Sequence, residues 1–250
     1  MNAYNHWCPV LLDDTDTPSG ETPSPALQCA RNVYHAVDCR MPEAAALAGW
    51  LMENAIAFGL PESAVPDYEA SGRRRRRGVG ATDWEKVGTA LEEAASNLPD
   101  DGKDTIDCWV AALKDRVALD ALEARILALA LRYRLDGRVE RLCDAISESR
   151  GRPTRFRRDA GLIGLLLAAS RSAVASRLTG EAKLLASGVL YIESDAKLAP
   201  LERLISLIRR DEPPAADIYD QLLGATTTAP LSWDAFAHLG QEAEVAAKVL

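Results

Sequence analysis

Apolar residues recur three and four positions apart through most of the chain, and that spacing predicts helices. Leu27, Ala30, Val33, Tyr34 and Val37 mark a first helix over Pro25 to Arg40. A second begins at Pro42, a residue suited to a first turn, carries Leu47, Trp50, Leu51 and Phe58, and stops at Gly59. So short a junction predicts an antiparallel pair. Thr82 and Glu85 have capping-box spacing ahead of Trp84, Val87, Leu91, Ala94 and Leu98, and a fourth helix follows Asp104 with Ile106, Trp109, Val110, Leu113 and Val117 on one face. Trp50, Trp84 and Trp109 read as core anchors.

From Asp120 onward the pattern becomes more specific. Asp120 and Glu123 repeat the capping logic before the stripe Leu122, Ile126, Leu129, Ala130 and Tyr133, and Arg138 to Glu148 forms the next helix. Two shorter helices, Asp159 to Ala168 and Ser170 to Leu178, meet at Ala169-Ser170, and Glu181 to Ser187 follows. The period then changes. Val189 to Glu193 is β-prone, Ser194 to Ala196 suits a turn, Lys197 to Ala199 returns, and Pro200 is expected to open a last amphipathic helix with Leu201, Leu204, Ile205 and Ile208. Three helices followed by a hairpin is the order of a winged helix.

The expected fold class is therefore mainly α: a helical N-terminal part plus a winged-helix domain with one small β-hairpin. The chain divides on this reading into a helical hairpin region over 1–65, a basic linker over 66–81, a helical connector over 82–119, the winged-helix domain over 120–212, and a terminal segment over 213–250. Asp13 to Pro25, rich in Asp, Thr, Ser and Pro, reads as a loop within the first of these. The run Arg73 to Arg77 has no apolar partners and reads as a solvated tether.

Charge changes the picture in one place. The 250 residues carry a net charge of −8, which argues against wholesale nucleic-acid binding, yet 121–210 holds 17 basic and 10 acidic residues, a balance of +7. The most apolar stretch, Ala160 to Ala169, is too short to cross a bilayer, which takes about 20 residues. Asp13, Asp14 and Asp16 near the start replace the basic and apolar regions of a signal peptide, so the expected compartment is the cytoplasm. Cys8, Cys29, Cys39, Cys108 and Cys143 have no paired spacing and read as reduced thiols. The nearest approach to a metal pattern is His6, Cys8, Cys29, His35 and Cys39, with His35 and Cys39 four apart on a helix, and no metal site is assigned.

The segments Arg132-Tyr133-Arg134, Arg138-Val139-Glu140-Arg141-Leu142, Arg152 to Asp159 and Leu185 to Leu190 resemble those of a bacterial family of AAA+ ATPases in which a winged-helix region precedes the motor domain. Leu231 to Glu244 resembles the strap and first helix leading into an AAA+ core. The likeness covers about the second half of the chain. It implies a regulatory or partner-binding N-terminal region contacting a protein partner or its own motor. ATP, Mg and an oligomer enter only with a motor beyond Leu250. No G-x-x-x-x-G-K-[ST] loop occurs in the sequence, so no cofactor-binding residue is assigned. No local nucleophile–base motif includes His6, His35 or His238, and no catalytic residue is assigned.

A free-standing winged-helix DNA-binding protein is the rival reading. Its third helix would enter the major groove, which singles out Arg171, Ser172, Ser176 and Arg177, with Ala173, Val174 and Leu178 facing inward and Arg155, Arg157 and Arg158 adding backbone contacts. The same residues are the candidates for a protein contact.

Overall fold

A computed structural model of the chain describes residues 24–65, 79–98, 104–151 and 156–224. Among them it is mainly helical, with one two-stranded antiparallel hairpin. The run Arg73 to Arg77, the segment Leu231 to Glu244, His6, Cys8 and His238 lie outside the described residues. No helix among the described residues is long and apolar enough to cross a membrane.

The first helices, α1 (Pro25–Ala36) and α2 (Pro42–Asn54), each open on the expected proline. Helix α1 ends before Val37, which is extended, so His35 and Cys39 do not share a helix face. A single 3-10 turn, Ile56–Phe58, extends the second element to Gly59, whose φ of 65° lets it close the turn. Helix α3 (Ala81–Ser96) starts two residues earlier than the Thr82–Glu85 pair requires; Gly80 is the cap residue, Thr82 lies inside the first turn, and the capping box does not form. In α4 (Thr105–Val117), which follows Asp104 as expected, the Asp104 carboxylate caps the helix by accepting the Asp107 amide at 2.7 Å.

Five helices follow in α5 (Ala121–Leu135), α6 (Gly137–Ser149), α7 (Ala160–Leu167), α8 (Arg171–Arg177) and α9 (Lys183–Ala186), and then the hairpin strands β1 (Leu190–Ile192) and β2 (Leu198–Pro200). The register pairs Tyr191 with Ala199. A short third segment bridges the far side of β2 antiparallel at Arg157–Lys197, which the sequence pattern did not signal. Pro200 ends β2 instead of opening a helix. It faces Leu190 at a position whose amide points away from β1, so its missing N–H costs no ladder bond, and α10 (Glu202–Arg209) begins after Leu201.

Met1–Pro213 is one compact unit, so the hairpin, connector and later helices that the sequence separates share a core. Helix α2 packs along α6, α1 lies against α3 and α7, and α4 and α6 flank α5. Polar groups pin these contacts at their ends. Trp50, 1% exposed, donates its indole N–H to the Arg138 carbonyl at 3.1 Å, and the guanidinium of Arg150 meets Glu43 at 2.8 Å. The fully buried Trp109 donates to the Glu212 carbonyl at 2.7 Å. These two tryptophans supply large apolar area with the polar edge satisfied. Trp84 differs from the expectation: it is half-buried and packs on Tyr34 with ring centroids 4.8 Å apart. Gly88 is required there, because a Cβ would overlap the Tyr34 ring.

Pro214–Leu250 forms a separate unit. Its described helix, α11 (Ile218–Leu223), is capped by Asp217, which accepts the amides of Tyr219 at 3.1 Å and Asp220 at 3.2 Å.

Candidate partner-binding surface

The candidate residues depend on how tightly α7 and α8 are joined. Helix α7 is apolar nearly throughout, with Leu162, Ile163, Leu165 and Leu166 at most 2% exposed. Its carboxy-terminal carbonyls are answered from neighbouring helices: Asn32 donates to Leu166 O at 2.7 Å, and Arg125 donates to Leu167 O. Ala168 then adopts a left-handed conformation, φ 49°, and the Ala169 amide returns to Gly164 O at 2.8 Å. The turn lies so close to α7 that a Cβ on Gly164 would stand 2.6 Å from the Ala169 oxygen. Ser170 caps α8 by accepting the Ala173 amide at 3.2 Å.

On α8, Val174 and Leu178 face the core at 0% and 1% exposure, while Arg171, Ser172, Ala175 and Ser176 are exposed. Ala173, expected to face inward, is half-buried. The serine hydroxyls are engaged locally, Ser172 with Ser170 at 3.2 Å and Ser176 with the Ala173 carbonyl at 2.8 Å. Arg177 is half-buried, and its Nε donates to Asp120 at 2.9 Å. Arg171 has no side-chain partner among the described residues.

Asp120 belongs to a junction that fixes this surface on α5. It accepts the Glu123 amide at 2.7 Å, and Glu123 returns a carboxylate oxygen to the Asp120 amide at 2.9 Å, completing the expected capping box. The other Glu123 oxygen accepts the Leu184 amide of α9 at 3.1 Å. Glu123 is 4% exposed, so each oxygen needs a donor, and each has one. Burial works against the Asp120 charge, but the Glu123 amide, the Arg177 guanidinium and the Leu122 amide outweigh it and hold the carboxyl below its ordinary value. Lys183 donates to the Ala118 carbonyl at 2.9 Å, closing the same junction.

Of the remaining candidates, Arg157 is half-buried and Arg158 is exposed, both on the segment that bridges β2, and Arg155 lies outside the described residues. Neither Arg157 nor Arg158 has a side-chain partner among the described residues. Sequence reasoning missed the role of Asp120 as the partner of Arg177. Its capping signature marks a helix start, while the contact spans 57 positions and has no local signal.

Thiol chemistry has little footing in the core. Burial pushes the Cys29 thiol up to about 12, with Arg132 and Arg125 pulling against it, and burial also raises Cys143. Among the described residues no cluster of His, Cys, Asp and Glu has the makings of a metal site. No family model, curated protein or solved structure matches the chain.

Proposed function

We propose that the chain is a non-catalytic, partner-binding N-terminal region of a cytoplasmic AAA+ ATPase, its ATP-hydrolysing module lying beyond Leu250. The observation that carries this reading is the element order α6, bridging segment, α7, three-residue turn, α8, the one-turn α9 and the hairpin, which resembles the helices-then-hairpin order of a winged helix. The resemblance of Leu231 to Glu244 to an AAA+ entry strap supports the link to a motor. ATP and Mg act at that module, oligomerisation runs through it, and this region contributes binding and coupling.

A protein partner fits the exposed face of α8 better than DNA. Arg177 is neutralised by Asp120, both serine hydroxyls are occupied, and Arg171 is left as the lone unpaired cation of a seven-residue helix. Phosphate contacts dominate DNA affinity, and one arginine supplies few of them. A gel-shift titration with duplex DNA over a range of salt concentrations tests the choice. The expected outcome is no discrete complex. A salt-dependent shift that is abolished by R171A with R177A would replace this reading with the DNA-binding one.

A further inference from the structure

We propose that the outer face of the small sheet, around Arg157, Lys197 and Tyr191, binds a segment of a protein partner that carries carboxylates and apolar side chains. The inference rests on the reading of the chain as a partner-binding region and adds the chemistry of the partner.

The backbone pairing defines the face. Leu198 donates to Phe156 O at 3.0 Å and Arg158 donates to Ala196 O at 2.9 Å, which makes Arg157 and Lys197 a non-hydrogen-bonded cross-strand pair. In that geometry side chains lie closest. Glu193 donates to Lys197 O at 2.8 Å across the hairpin, so Glu193, Lys197 and Arg157 form one row, with Tyr191 on the same side two residues along β1. The opposite side carries Phe156, Leu190 and Leu198, at most 1% exposed, and is the core face.

Charge in the outer row does not balance. Lys197 reaches Glu193 at 3.4 Å, whereas Arg157 has no ion pair or side-chain hydrogen bond among the described residues, and its Nε is shielded from solvent without an acceptor. Like charges placed opposite each other across strands destabilise a sheet. A carboxylate lying between them relieves the repulsion, and the planar guanidinium of Arg157 can hold it through parallel N–H donors. Tyr191, 38% exposed, adds a flat apolar surface for a neighbouring side chain of the same segment. A polyphosphate strand fits less well, because it brings no apolar side chain to Tyr191 and many charges to a row whose one cation without an ion pair among the described residues is Arg157.

The test is a nuclear magnetic resonance titration of the isotope-labelled full chain with a short synthetic peptide of alternating glutamate and leucine, with a lysine–leucine peptide and duplex DNA as parallel arms. Shifts gathered at Arg157 Nε, Lys197 and Tyr191 are expected with the acidic peptide alone. R157Q is expected to weaken that binding on the order of tenfold. The same substitution removes the cross-strand repulsion, so the free protein should melt slightly higher, by about 1–2 °C. The proposal is overturned if the acidic peptide moves none of these signals, if the basic peptide moves them equally, or if R157Q binds unchanged. It is overturned in favour of a nucleic-acid surface if duplex DNA produces the shifts and R157Q removes them. ATP turnover by the chain would defeat the proposed function without altering any of these readings.

Discussion

At the amino end of α5, Glu123 accepts the amides of Asp120 and Leu184 while Asp120 accepts the Glu123 amide and the Arg177 guanidinium; on the outer face of the sheet, Arg157 has no such partner among the described residues. Both regions lie in the same compact unit and both place charge against backbone at an element boundary. The first pairs both carboxylates with backbone amides and Asp120 also with Arg177, which ties α8 and α9 to the start of α5. The second leaves a cation uncompensated, which is why we propose it as a surface that meets a partner. On the proposed reading, rigidity belongs to the junction, and recognition to the sheet and the exposed side of α8.

The comparison is broken most severely at Glu123. Replacing it with alanine strands two amides, at Asp120 and Leu184, and should cost about 2–4 kcal/mol, read as a fall in the denaturant midpoint at constant slope. Gly164→Ala comes next. Its methyl meets the Ala169 carbonyl at the α7–α8 turn and should cost about 1–3 kcal/mol while leaving secondary structure unchanged by circular dichroism. Arg177→Ala removes a partly exposed ion pair and leaves the Asp120 cap in place, so the loss should be about 0.5–1 kcal/mol and shrink in high salt.

A pH experiment sharpens the contrast further. The lowered Asp120 carboxyl contributes stability that is present above its unfolded value of 3.8 and is lost as pH falls through its folded value. Asp144 behaves in the opposite sense: burial raises it above 3.8, outweighing the hydrogen bond from Tyr133, so the fold loses stability as pH rises from 3.8 through the raised folded value. Asp144→Asn keeps an acceptor for the Tyr133 hydroxyl and removes that penalty. The variant should match the parent in acid and melt slightly higher at neutral pH, the smallest effect in the series. A lower melting point at neutral pH would show that the ionised carboxylate stabilises the fold.

Helical spacing and capping chemistry made most of the fold legible in the sequence. The Asp120–Glu123 box, the Ser170 cap and the hairpin turn at Ser194–Ala196 are local features, and each forms where its residues predict. The readings that changed turned on where a helix starts and on how elements pair and pack. Thr82 lost its capping role to Gly80, Pro200 was taken into the hairpin by pairing with Leu190, and Trp84 became a partner of Tyr34 at the half-buried edge of α3. At the surface, residue type marked arginines on α8 and near α7, but whether each is neutralised depends on partners far along the chain. Arg177 meets Asp120 across 57 positions, and Arg157 meets another cation in Lys197. Sequence spacing carries neither fact.

The central claim is that this chain binds and couples but makes and breaks no bonds. Phosphate release from ATP with Mg by the purified chain tests it most directly. The account predicts a rate indistinguishable from that of buffer at any protein concentration; a rate that scales with the chain and survives repeated purification would contradict it.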